Sequence, residues 1–237
     1  MSRSRALVFG GTGAVGREVL AGLAEARVET AFTWHTSERL ASDLASRHSQ
    51  REVRVDLASP AATREAIATL ARDGFCPDLF IHCAAVNRTA PLARLTDADW
   101  DEAQAVNCRS AFVACRELAA GMTASGEGHV VLVGALDRAQ SLPAPAPFAA
   151  SQGALAALAM ALAKELGAGG VLVNMVALGI LETGLSRGLE AGLLADFKGF
   201  SALRREGTPA EAARAILWLA LENTYMSGKV LSVNGGI

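Results

Sequence analysis

Residues 9–16 read F-G-G-T-G-A-V-G. The stretch follows a short apolar run, ALVFG at 6–10, and opens a helix-patterned segment at 16–26. Glycines let the backbone turn sharply and come close to a diphosphate. A helix starting there adds free N–H groups and a favourable dipole. A G-x-G-x-x-G stretch alone also fits a merely tight turn. Its weight here comes from its place at the first strand-to-helix turn of an alternating chain.

Outward from that turn the alternation continues. Apolar runs at 28–34, 52–55, 79–83, 129–134, 171–176 and 230–233 predict strands. Segments 37–46, 60–72, 97–122, 151–166 and 209–221 predict helices between them, with Ser59 capping the one that opens on Pro60. Strands separated by helices need crossover connections, hence a parallel sheet covered on both faces. The short P-A-P-A-P at 143–147 reads as a stiffened loop rather than a linker, and no repeat divides the chain. The expectation is one α/β Rossmann-like doubly wound domain over 1–237, with a seven-stranded parallel sheet.

Bulk properties narrow the function. The 237 residues are 51% hydrophobic and 19% charged, with a formal charge of −2, so no basic field points to nucleic acid or an anionic membrane. Cysteines at 76, 83, 108 and 115 form no C-x-x-C pair, which suits a reducing compartment. The N-terminal MSRSRALVFGG runs straight into a strand signal, which predicts no signal peptide and a cytoplasmic protein. The most apolar segment, 151–166, carries Lys164 and Glu165 and is too short for a bilayer. Cys108 and Cys115 lie seven apart on one helix face, which favours packing, and the four histidines lack ligand spacing, so no metal is expected.

The end of the second strand selects the dinucleotide. An acid there binds the NAD 2′-hydroxyl and repels a 2′-phosphate. Here 33–37 read T-W-H-T-S, with no acid before Glu38. That favours NADP over NAD, with His35, Thr36, Ser37 or Arg39 as phosphate partners. Alternatively Trp34 and His35 only cap the strand.

With these features, V-D-L at 55–57, I-H-C-A-A at 81–85, L-T-D-A-D-W-D-E-A-Q-A-V-N at 95–107, V-N-M-V-A-L-G-I-L-E-T at 173–183 and S-G-K-V-L-S-V-N-G-G at 227–236, the chain resembles the short-chain dehydrogenase/reductase family nearly end to end. It is most similar to the 3-oxoacyl-acyl-carrier-protein reductases. The resemblance implies that Gly10, Thr12, Gly13, Ala14, Val15 and Gly16 hold the diphosphate. It assigns Trp34, His35 and Thr36 to the adenosine ribose, Asp56 and Leu57 to the adenine, and Cys83, Ala84 and Ala85 to the turn after the fourth strand. Gln152, Gly179, Ile180 and Thr183 fall at the nicotinamide. The match is imperfect. His82, Cys83 and Ala85 depart from the family's Asn-Asn-Ala-Gly, Leu178 replaces its usual Pro, Ala14 falls at its middle Gly, and Gly13 takes a place often held by a basic or polar residue.

The departures concentrate at the catalytic end. The family uses a Ser and a Tyr on the carbonyl, a Lys four residues after the Tyr, and an Asn that holds a water. Aligned on A-A-S-x-G-A, the Tyr position is Phe148, the Lys position Gln152 and the Ser position Ala135; only the Asn survives, as Asn107. The sole tyrosine is Tyr225, and Lys164 belongs to the A-K-E-L that ends the same helix in ordinary members. Phe keeps the ring without the phenol, and Gln can hydrogen-bond a ribose but carries no charge. Losing general acid help costs roughly 10²–10⁴ in rate, which weakens carbonyl reduction without forbidding it. Asp137, Arg138, Ser141 and His82 are the candidates for a replacement acid. The plainer readings are a solvated or subunit-facing Asp137–Arg138 pair, a packed His82 and a core Cys83.

The 151–166 helix is apolar nearly all round, so its outer side predicts a homodimer or homotetramer formed with the 97–122 helix; alternatively, small alanines simply tolerate exposure. The stretch 184–205, with Leu193, Leu194, Phe197, Phe200, Arg204 and Arg205, is the expected substrate lid. An apolar lid with basic flanks would suit an acyl or polyketide chain on an acyl carrier protein, although an ordinary mobile lid fits equally. The expected activity is an NADP(H)-dependent ketoreductase lacking the usual proton donor. The alternatives are a catalytically inactive cofactor-binding or partner subunit, and non-redox chemistry in the old pocket.

Overall fold

The computed structural model describes residues 4–135 and 143–237. Asp137, Arg138 and Ser141 therefore lie outside the described residues. Seven strands form one sheet: β1 (Arg5–Phe9), β2 (Glu29–Trp34), β3 (Arg51–Arg54), β4 (Leu79–His82), β5 (Gly128–Ala135), β6 (Val171–Leu178) and β7 (Val230–Val233). All pairings are parallel, in the order β3-β2-β1-β4-β5-β6-β7. The chain runs outward from β1 to β3, then returns to place β4 against β1. Ligands of open parallel sheets bind at such a reversal, beyond the C-terminal strand ends.

Alternation along β1 explains the two layers. Leu7 and Phe9 face one core with Ile67 and Leu70 of α3 (Pro60–Arg72), Leu118 and Met122 of α5 (Ser110–Ser125), and Leu155 and Ala159 of α6 (Ala146–Leu166). Ala6 and Val8 face the other, with Leu20 and Leu23 of α1 (Ala14–Glu25), Leu44 of α2 (Glu38–His48) and Ile216 of α8 (Pro209–Leu221). Near-continuous burial of the central strands is what a sheet covered on both faces requires.

Local chemistry sets the helix starts. Ser59 Oγ accepts from the Ala62 N–H at 3.2 Å, with Pro60 in the first turn. Thr96 and Asp99 close a reciprocal box on α4 (Asp97–Gln104), and Thr208 and Glu211 close one on α8.

Four expectations need correction. The 97–122 helix is not continuous: α4 and α5 are joined by a π-helical turn, Ala105–Arg109, with Asn107 at its middle. The extra residue in that turn breaks the 3.6-residue period, which apolar spacing does not register. The 151–166 helix starts five residues earlier, at Ala146, because Pro147 sits in the first turn, where its missing N–H costs nothing. With its 3₁₀ extension the segment Ala146–Gly169 is 24 residues, long and apolar enough by length and composition to cross a membrane. Shortness therefore does not exclude a membrane span. One face, with Leu155, Ala159, Ala163 and Leu166, packs into the core, and the rest of the segment is largely outside it, with 33% of its most apolar window buried. Last, the 184–205 stretch contains a helix, α7 (Ala191–Phe200).

That stretch leaves and rejoins the sheet at one place. Leu181 bridges Gly207, the Glu182 N–H donates to Gly207 O at 3.0 Å, and the Gly207 N–H donates to Ile180 O at 3.0 Å.

Candidate functional site

A cleft of about 690 Å³ opens at the C-terminal strand ends, where the strand order reverses. Its floor is the β1–α1 turn. The Gly11 N–H donates to Thr33 O at 3.0 Å and the Gly10 N–H to Thr33 Oγ1 at 3.2 Å, which pins the turn to β2. Gly10 has φ +77° and lies so close to the next loop that a Cβ would stand 2.8 Å from the Ala84 backbone. A Cβ on Gly16 would lie 2.2 Å from Gly10 O. No side chain caps α1 at Gly13. Its first-turn N–H groups, on Ala14, Val15 and Gly16, have no intrahelical acceptor and carry the positive end of the dipole. The turn is thus a cradle that a side chain would fill, and its chemistry fits a diphosphate.

The other predicted segments converge on the same cleft. Trp34, His35 and Thr36 line its adenosine end with Asp56 and Leu57. The Asp56 carboxylate accepts from the Ala58 N–H at 2.9 Å, which fixes its loop. Arg54 stacks on the Trp34 ring at 5.6 Å. Ser37 and Arg39 lie in a neighbouring depression that shares Thr36 with the cleft. Cys83, Ala84 and Ala85 form one wall; Gly179, Ile180 and Thr183 form the opposite one. Cys83 faces the cleft rather than lying wholly in the core, and burial pushes its thiol up to about 12, so it is no thiolate.

At the catalytic end, Ala135, Phe148 and Gln152 all line the cleft. Gln152 is buried, and its Oε1 accepts from the Ala135 N–H at 2.8 Å. Among the described residues its Nε2 has only a long 3.4 Å contact, to Ser151 Oγ, which leaves it as a donor for a ligand hydroxyl. Asn107 is buried and does not line the cleft. Its Oδ1 accepts from the Val86 N–H at 2.8 Å, and its Nδ2 donates to Val86 O at 3.0 Å and Ser151 Oγ at 2.9 Å. In this chain it clamps the loop after β4 to α6.

His82 is not the missing acid. It is fully buried between Phe9 and Phe80, away from the cleft lining. Its Nε2 lies 2.7 Å from Ser110 Oγ, whose own hydroxyl donates to Val106 O at 2.7 Å. Nε2 is therefore the protonated nitrogen, and Nδ1 is left buried without a hydrogen-bond partner among the described residues. Burial lowers its pKa to about 4.

The lid contributes Leu185, Ser186, Leu189 and Leu193 to the cleft. The other lid residues named from sequence point elsewhere. Phe197 is in the core and Phe200 is exposed. The Arg204 guanidinium donates to Gly199 O, and Arg205 pairs with Glu211 at 2.5 Å. The basic flank is thus tied to its own chain instead of facing a ligand. Sequence reasoning missed Val86, Asn87, Thr89, Glu102 and Val106, which also line the cleft. Val86, Asn87 and Thr89 lie outside the quoted segments, Glu102 and Val106 lie in the 95–107 stretch with no role read for them, and only the fold brings 86–89 and α4 to one mouth.

A family described as enoyl-(acyl carrier protein) reductase matches residues 12–237. The 3-oxoacyl-[acyl-carrier-protein] reductase of Chlamydia muridarum is 29% identical over 68% of this chain, an alignment that spans 65% of that relative's length. The Escherichia coli reductase of the same name is 27% identical over 98% of this chain and 96% of its own. Among solved structures, a blue fluorescent protein from a metagenomic library, in complex with NADPH, superposes with a TM-score of 0.91 at 26% identity, covering 98% of this chain and 97% of its own.

Proposed function

Because the chain belongs to the short-chain dehydrogenase/reductase family, we propose that it is an NADP(H)-dependent oxidoreductase of the ketoreductase type, working on an acyl or polyketide-type keto substrate without a side-chain proton donor. One observation carries the reading: the glycine turn, the loop after β4 and the segment after β6 all line a single cleft. The reductase relatives and the NADPH-bound structural neighbour support it, and they count against a non-catalytic subunit.

When bound, the nicotinamide supplies a hydride to an electrophilic carbon. The chain's own residues position the pair. First-turn N–H groups of α1 hold the diphosphate, Thr36 with its neighbours Ser37 and Arg39 receives the 2′-phosphate, and Gln152 Nε2 holds a ribose hydroxyl. Asn107 keeps the wall behind them rigid. Ala135 and Phe148 offer no proton, so the product oxyanion takes its proton from water or from the substrate. Alignment of reactants alone supplies up to about 7–11 kcal/mol of a barrier, which leaves room for slow turnover.

We further infer a homodimer or homotetramer built on the outer sides of α5 and α6, where Phe112 and Met160 are exposed, and a cytoplasmic setting. Calorimetric titration tests the core of the reading: NADPH should bind at least about tenfold more tightly than NADH, since an absent acid removes repulsion of the 2′-phosphate. Folded protein that binds neither sinks it. An acyl-carrier-protein thioester of a 3-oxo acid should then oxidise NADPH slowly. The triple variant Ala135→Ser, Phe148→Tyr, Gln152→Lys should raise that rate by about 10²–10⁴.

A further inference from the structure

Among the described residues, the Ser, Tyr and Lys donors are gone from the substrate end of the cleft, Gln152 Nε2 is kept for a ribose hydroxyl, and Glu102 and Asn87 Oδ1 are placed to accept. Phe148 and Ala135 stand where hydroxyls would be, and Gln152 Oε1 is committed to the Ala135 N–H. Glu102, near the end of α4, lines the cleft and takes part in none of the ion pairs among the described residues. Asn87 lines it too, with its Oδ1 buried and without a hydrogen-bond partner among the described residues. Gln104 Nε2 donates to Pro147 O at 3.3 Å, tying α4, which carries Glu102, to the start of α6, which carries Phe148. No Lys or Arg is among the described lining residues, and Val106, Leu185 and Leu189 make the remaining wall apolar.

Such a wall suits a carbonyl poorly. A carbonyl oxygen gains negative charge as hydride arrives and then needs a proton, whereas this wall offers a carboxylate. A cationic C=N is the opposite case, since it loses its charge on reduction.

We propose that the cleft reduces iminium-type substrates, meaning protonated or N-alkylated C=N groups, with Glu102, Asn87 and Phe148 as the cation-recognising wall. This extends the reading above from a carbonyl to its cationic nitrogen analogue and rests on the NADPH-binding half of that reading. The iminium carbon accepts hydride from the reduced nicotinamide and a C–H bond forms. The C=N π pair becomes the nitrogen lone pair, giving a neutral amine and oxidised nicotinamide. Atoms and charge balance with no proton drawn from the protein, which accounts for the loss of Ser, Tyr and Lys together. Glu102 attracts the cation across a partly apolar site, the Phe148 ring face accepts it, and Asn87 Oδ1 takes an N–H or a polarised C–H beside the nitrogen. Charge falls toward the transition state, so Glu102 acts on capture more than on the hydride step.

The test uses the full chain, with an N-methyl dihydroisoquinolinium salt as the cationic substrate and tetralone as the uncharged ketone of the same ring size. After subtraction of the solution reaction, kcat/KM for the iminium should exceed that for the ketone by about 100-fold, the range that loss of an acid imposes on the ketone. Glu102→Gln should raise KM for the iminium about tenfold with kcat little changed, the pattern of lost uniform binding. It should also weaken calorimetric binding of the non-reducible N,N-dimethyl tetrahydroisoquinolinium about tenfold while NADPH binds as before. Glu102→Asp should recover most of that binding. Circular dichroism of the variants, altered only at an exposed position, should match the parent. Faster turnover of the ketone, no iminium reduction by NADPH-bound protein, or equal analogue binding by Glu102→Gln each overturns the inference alone. Absence of NADPH binding overturns the function it rests on as well.

Discussion

At the scale of the residue, His82 is a costly feature of the core: a buried imidazole packed against the Phe9 and Phe80 rings, with Nδ1 lacking a hydrogen-bond partner among the described residues. Burial lowers its folded pKa to about 4 from 6.5. Between those values the unfolded chain binds the proton and the folded chain does not. Stability therefore falls as pH drops through that window and is level above it. The loss by pH 4 is about 3 kcal/mol. Urea denaturation at pH 7 and pH 4.5 should show that drop in the parent and a smaller one in His82→Asn. Gln152 yields a second residue-scale prediction. Gln152→Lys alone sets a buried ammonium against the Ala135 N–H, whose acceptor is lost. The apo protein should lose about 1–3 kcal/mol in chemical denaturation. That Ala135, Phe148 and Gln152 share one site was legible in the sequence because motif spacing groups them, and all three line the cleft. The actual partners of Asn107 were not legible, because they depend on a loop after β4 that no periodic pattern describes.

At the scale of the element, the β1–α1 turn works by backbone approach. Gly16→Val places a Cβ against Gly10 O. It should lower NADPH affinity by more than about tenfold and depress Tm, both readable by calorimetry, because the turn must open to admit the side chain. The start of α8 is a milder case. Thr208→Ala removes the oxygen that accepts from the Glu211 N–H at 3.2 Å and should cost about 1 kcal/mol, or about 2–4 °C in Tm. Strand positions, the Ser59–Pro60 start of α3 and α8 itself could be read from the sequence because each carries a local signal. The π-helical turn at Ala105–Arg109 could not, since the polar α4 before it buries only Ala103 and so offers no apolar stripe against which a change of register would show. The early start of α6 was obscured by prolines that read as a loop.

At the scale of the whole molecule, the homo-oligomer inferred above rests on the outer sides of α5 and α6. Sedimentation equilibrium should give a dimer or tetramer, and Phe112→Asp with Met160→Asp should shift it toward monomer while leaving the far-ultraviolet spectrum unchanged, because both side chains are exposed. The parallel, doubly wound sheet followed from the alternation of elements, but its strand order and the mouth of the cleft, lined by Asn87, Glu102 and the lid, exist only once the crossovers are made. The doorway at Leu181 and Gly207 has one more consequence. Since the residues between them depart from and return to adjoining backbone, the whole excursion is a detachable module. Exchanging 183–206 for the corresponding span of a relative should transplant substrate preference while the sheet refolds unaltered, because the graft's two ends need be no farther apart than neighbouring strands.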